Sequence, residues 1–262
     1  MKKSALVLVA GLAANVIPTL AFADDAPASP ITYNIGAVTD YKYRGITQTK
    51  FMPAVQGGVD YAQGPIYLGT WLSTIDWIHD AGKATHVDTG DGPVEWDLYG
   101  GTKGDIIKDS LSYDVGVLGY LYVDQKYHNT GFANPDTGEV YLALTSGIFT
   151  GKVSVSFSDL FGVPDSKGSQ YYDLTANIDL GSGFSLTPEV AYQNITGHFI
   201  QDAGGRDPSY ALVSATLGKD FGKGLSASLQ VVGTDAHKVD YQSSNGKFTG
   251  RTGVIAGVKY TF

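Results

Sequence analysis

Charged side chains in this chain recur at alternate positions beside apolar ones. In DYKYR, Asp40, Lys42 and Arg44 alternate with Tyr41 and Tyr43, and Asp60, Glu95, Asp97, Asp114, Glu139, Asp173, Asp179 and Glu189 each sit in a run of the same kind. Carboxylates spaced this way, with no nucleophile and base between them, do not form a catalytic constellation. Arranged around a water-filled space, they form a field that sorts ions. Lys152, Lys219, Arg251 and Lys259 fall in the same phase as Lys42 and Arg44. Acids outnumber them, which would favour cations weakly if the space is open. If the charges pair across it instead, they fill it. Both readings stand on the sequence.

Other chemistries find less support. A hydrolase needs a nucleophile with a base, usually His, on neighbouring elements. His79, His86, His128, His198 and His237 all fall in segments that read as loops. An enzyme is therefore disfavoured. His79, Asp80, His86, Asp88 and Asp91 share one loop and are donor types that suit a divalent cation, but a solvated acidic loop explains them equally well. There is no cysteine to ligate a metal or form a disulfide, no cofactor motif, and no basic surplus that would favour nucleic acid.

The elements that carry these residues alternate with a period of two, so each is a strand with two unlike faces. Ile31, Tyr33, Ile35, Tyr41 and Tyr43 form one face of a first strand over about 31–43. On this phase the tyrosines point outward, to an interface, and Asp40, Lys42 and Arg44 point inward. Similar strands are read at 53–61, 65–76, 94–102, 111–123, 139–146, 152–158, 171–180, 184–193, 209–219, 225–233 and 251–262. In the third, Tyr67/Trp71/Ile75 and Ile66/Leu68/Leu72 are both acceptable outward sets. Pro188 weakens the ninth. Long and short connections alternate strictly, the first and last being long. Twelve strands is the best count, with ten or fourteen as alternatives.

The N-terminus has Lys2 and Lys3, an apolar run, and Ala21-Phe22-Ala23 before Asp24. It reads as a secretory signal peptide over 1–23, cleaved between Ala23 and Asp24, rather than a membrane anchor. Residues 24–30 would be a short periplasmic lead-in to a barrel over 31–262. Removing 1–23 leaves 16 basic against 26 acidic residues, a net charge of −10. With 34 glycines, 17 tyrosines and no later apolar run long enough for a helical span, the expectation is an all-β transmembrane antiparallel up-and-down barrel. Short turns would face the periplasm and long loops the exterior of a Gram-negative cell. Val258, Tyr260 and the terminal Phe262 share a face and resemble the signal that such barrels present to their assembly machinery. Expected partners are the export translocon, that assembly machinery, outer-membrane lipids and small hydrophilic solutes. A structural or surface-binding barrel with a plugged lumen is the alternative.

One stretch carries a family resemblance. Tyr41, Arg44, Gly45, Ile46, Thr47 and Gln48 are followed by Pro53, Ala54, Gln56, Gly57, Gly58, Asp60 and Tyr61, then by Tyr67, Gly69, Thr70 and Trp71. This succession resembles the TorF-type porins of bacteria, and 97–101 and 111–122 look like later parts of that pattern. The resemblance implies a barrel with a pore and names no substrate.

Overall fold

The computed structural model describes residues 29–197 and 207–262. The expected signal peptide, most of the 24–30 segment and His198 lie outside the described residues. The chain begins with β1 (Ile31–Val38), a small hairpin of β2 (Lys42–Tyr43) and β3 (Ile46–Thr47), then β4 (Ala54–Gln63) and β5 (Ile66–Thr74). Helix α1 (Trp77–Thr85) precedes the long strands β6 (Gly90–Ile107) and β7 (Leu111–Gln125). A single 3-10 turn leads to β8 (Thr137–Ser146) and β9 (Phe149–Ser156), followed by β10 (Gln170–Ala176) and β11 (Ile178–Gly181). The wall ends with β12 (Phe184–Asn194), β13 (Tyr210–Gly222), β14 (Leu225–Thr234) and β15 (Gly253–Thr261).

Every neighbouring pair in the wall is antiparallel, and β1 pairs with both β4 and β15, so the sheet closes on itself. β10 and β11 are one strand interrupted at Asn177, both pairing with β12, which makes twelve staves. Closure leaves no backbone edge unpaired, the condition for a sheet in lipid. The last residue joins the seam: Phe262 and Tyr33 exchange backbone hydrogen bonds of 2.9 and 2.8 Å, and their rings stack at 5.7 Å.

The alternation of each strand separates the two faces. Val55, Leu68, Val117, Leu142, Val213 and Val254 stand exposed on the outside. A continuous apolar belt of this extent is the signature of a surface made for lipid. In β5 the register selects Ile66, Leu68 and Leu72 as the outward set, and Tyr67 and Trp71 are buried inside.

The inside explains why glycine and tyrosine are abundant together. Tyr67 pairs across strands with Gly101, Tyr99 with Gly69, and Tyr141 with Gly116. A Cβ on any of the three glycines would lie 2.3–2.4 Å from the nearest atom of the partner tyrosine. The rings therefore lie against the wall over residues without side chains, instead of projecting across the lumen.

Three expectations need correction. The first strand ends at Val38, not near 43, because the chain leaves the wall there. The segment 77–93, read as loop, contains α1, and the fourth strand extends from Gly90 to Ile107 rather than over 94–102. Tyr41 and Tyr43 do not face lipid: Tyr41 is buried inside and Tyr43 packs there beside Tyr120 and Phe161.

Candidate functional site: an inward hairpin and the vestibule above it

Beyond Val38 the chain turns into the lumen. β2 and β3 pair Lys42 with Thr47 and Tyr43 with Ile46, so Arg44 and Gly45 form a two-residue turn. Both have positive φ, 46° and 80°, which is the type I′ geometry of tight hairpins and suits glycine at the second position. Space demands glycine too: a Cβ on Gly45 would sit 2.4 Å from Thr234 and 2.8 Å from Leu212. The tip is thus pressed against β13 and β14.

Arg44 spans the facing wall. Its guanidinium donates to Glu139 Oε2 on β8 and to Gln193 Oε1 on β12, both at 2.6 Å. It also lies over the rings of Tyr43 at 4.8 Å and Tyr171 at 4.2 Å. The Arg44 and Glu139 side chains are only 6% and 3% exposed, so the ion pair is shielded from water. In the ring of staves β9 lies opposite β1, where the hairpin is rooted; β8 is its neighbour on one side and β12 stands two staves away on the other. Through Arg44 the hairpin therefore reaches the far wall of the lumen.

Its stem is fastened along the way. The Tyr41 hydroxyl donates to Glu95 Oε1 at 2.5 Å, and Tyr122 also bonds that carboxylate. Tyr43 and Tyr120 share a hydroxyl contact, and Tyr120 reaches Glu139 at 3.4 Å. Asp40 accepts from Thr47 at 2.5 Å and Thr49 at 3.1 Å, and Lys42 donates to the Arg251 carbonyl. Gln48 O accepts from the backbone of Asp76 and Trp77 at the start of α1. A latch joins the hairpin to two other loops: Asp80 of α1 accepts from Lys50 and from the N–H and hydroxyl of Ser244. Burial pushes the Asp80 carboxyl up, but these bonds outweigh it and hold it below the ordinary carboxylate value.

The sequence-selected residues divide into three groups. Asp40, Lys42, Arg44, Glu95, Asp97 and Glu139 lie in the hairpin segment or against it, with the Arg44 side chain and the other five residues each less than a tenth exposed. Oδ1 of Asp97 is buried without a hydrogen bond. Asp60, Asp114, Asp173 and Glu189 lie lower inside the barrel. Asp60 accepts from Tyr99 and Asp114 from Tyr67, each at 2.5 Å, while Glu189 accepts from Ser214 at 2.6 Å. The third group is Asp179 alone. It is exposed near the turn that follows β11, accepts from the Gly181 N–H, and is in register with Ser185, in the same phase of β12 as Glu189.

The lower charges form a row. Lys103 is in register with Asp114, Asp114 with Ala143, Ala143 with Lys152, and Lys152 with Asp173. Signs alternate along one register row that crosses five adjacent staves. Lys103 was not among the residues selected from sequence, because its strand extends past the expected end.

Above the hairpin, at the end with the long loops, lies a cavity of about 520 Å³. Tyr43, Arg44, Ile46, Thr47 and Gln48 form its floor. Eight of its described lining residues are aromatic: Tyr43, Trp77, Tyr122, Tyr127, Phe132, Phe161, Tyr210 and Tyr241. Burial raises the Tyr127 phenol to about 12, so it stays neutral. This chamber is not legible in the sequence, since its walls come from six separate segments.

The acidic loop donors are dispersed. Asp80 is committed to the latch, Asp88 pairs with Lys126 at 2.9 Å, and His79 lies 3.4 Å from Asp76. Among the described residues no three such donors are placed to hold a metal.

Comparison with known proteins places the fold. The chain is similar to the KdgM porin, at 8% identity over 88% of this chain and 98% of that one, with a TM-score of 0.53. The KdgM porin in complex with disordered oligogalacturonate gives 8%, the same coverage and 0.52. The NanC porin gives 9%, the same coverage and 0.53. At such identities the likeness is one of fold. No curated protein matches the sequence. The family described as bacterial protein of unknown function (Gcw_chp) matches residues 23–262. The chain belongs to that family, which it represents as a twelve-stranded barrel of porin-like fold.

Proposed function

We propose that the protein is an outer-membrane channel for passive diffusion of small hydrophilic solutes, mildly selective for cations. The observation that carries this reading is the lower lumen, where tyrosine rings lie flat over glycines and charged groups face a common space. Twelve staves lie between the eight that side chains fill and the sixteen or more that leave a wide channel. The apolar outer belt and the seam at Phe262 support an outer-membrane location reached by export and barrel assembly. In that scheme residues 1–23 are the cleaved leader, and Val258, Tyr260 and Phe262 carry the assembly signal. The resemblance of 41–71 to TorF-type porins points the same way.

The hairpin favours a second reading, a barrel whose lumen is closed. Arg44 bridges β8 to β12, and the tip abuts β13 and β14. Single-channel recording in a planar bilayer under a salt gradient separates the two. The channel reading expects discrete steps with a cation-selective reversal potential, enlarged several-fold when 40–49 is replaced by a short glycine linker. A barrel silent both intact and without its hairpin sinks the channel reading.

A further inference from the structure

The vestibule carries chemistry that diffusion of hydrophilic solutes does not require. We propose that it is a binding site for small organic cations with an apolar or aromatic body, such as quaternary ammonium compounds. Its role as the first stop on a permeation path rests on the channel reading; binding itself does not.

The lining provides ring surface. Trp77 packs edge-on against Tyr122 at 90° and Tyr127 at 68°, and Tyr210 against Tyr241 at 78°. In an edge-to-face pair one ring presents its edge and its own faces stay free of that partner. Aromatic faces carry negative potential and attract ammonium groups, most strongly where water is displaced.

Charge decides the sign of the ligand. The charged side chains among the described lining residues are Arg44, Asp80 and Asp240. Arg44 is held by Glu139 and Gln193 and sits over the Tyr43 and Tyr171 rings. Glu139 at 2.6 Å already neutralises that guanidinium, so it offers an anion little net charge. Beneath the floor lie the buried acids Glu95, Asp97 and Glu139, the last paired with Arg44. Ala81, Ala84, Val163 and Ile195 add apolar contact area, beside the uncharged polar side chains of Thr47, Gln48, Gln242 and Thr249. That combination suits a cation clothed in methyl groups or a ring. The volume lies within the range of small-molecule sites.

The test is calorimetric titration of the refolded protein with three probes that share a ring and differ in charge: benzyltrimethylammonium, benzyl alcohol and benzoate. The expected order is cation, neutral, anion, with about tenfold between the first two. Trp77→Leu should weaken the ammonium probe roughly tenfold and benzyl alcohol by no more than about threefold, since a ring face is lost and apolar contact largely kept. Phe161→Leu is the second variant if the first fails to insert. Equal binding of ammonium and alcohol, or tightest binding of benzoate, overturns the proposal, and so does the absence of heat with all three. Currents recorded on the same preparation keep the two readings apart. Binding without conductance would overturn the channel and leave the site; conductance without binding would do the reverse.

Discussion

Arg44 concentrates the local physics. It places a guanidinium where water hardly reaches and neutralises it with one carboxylate, one amide and two ring faces. Removing one partner of a shielded pair leaves the other charged and unsolvated, a cost of about 3–5 kcal/mol, whereas replacing both by apolar groups is nearly neutral. Arg44→Leu should therefore lower stability to urea by roughly that amount, and adding Glu139→Leu should restore most of it. A cost below about 1 kcal/mol for the single variant would mean that the pair is screened by water like a surface ion pair. The sequence identified Arg44, Glu139 and Tyr41 but misjudged how they meet. A period of two is the same in a wall strand and in a hairpin that leaves the wall, so nothing in DYKYR records the inward turn after Val38. Gly45, just after that stretch, is the legible clue, because glycine at the second turn position is what a two-residue hairpin asks for.

At the scale of elements, the hairpin is positioned by loops distant in sequence. Asp80 on α1 ties Lys50 of the first loop to Ser244 of the last. A carboxyl held below its ordinary value contributes its full share above the unfolded value of about 3.9, and loses it as pH falls through the lower folded value. Acidification below about pH 4 should then release the latch. Amide exchange at Ser244, whose N–H donates to Asp80 at 2.8 Å, reads this directly. Protection should fall with acid in the natural protein and be low already at neutral pH in Asp80→Asn; an amide as protected in Asp80→Asn as in the natural chain would show that the latch holds nothing. Strands were legible because burial on one side forces alternation. Helix α1 was not: Trp77, Ile78 and Ala81 are spread through a polar stretch, and only Ile78 is fully buried.

For the whole molecule, the open question is what the interior charges add up to, and register answers more than composition does. Acidic excess alone argues for cation preference. Yet Lys103, Asp114, Lys152 and Asp173 alternate in sign along one register row of the lower lumen, so much of the field there cancels. Lys152 lies over the Tyr141 ring at 4.7 Å and Lys103 over Tyr67 at 5.6 Å, which holds both ammonium groups close to the wall. Ion selectivity should therefore be a small difference, readily moved in either direction by one substitution. Asp114→Asn uncovers Lys103 and Lys152, and the reversal potential in a salt gradient should move toward anion preference. Lys152→Gln uncovers Asp114 and Asp173 and should move it further toward cations. Each change removes one unit of charge from the same register row, so the two shifts should be opposite in sign and comparable in size. Shifts of the same sign, or none in channels that still conduct, would mean that ions do not pass this row, and selectivity would have to be set above it, at the hairpin.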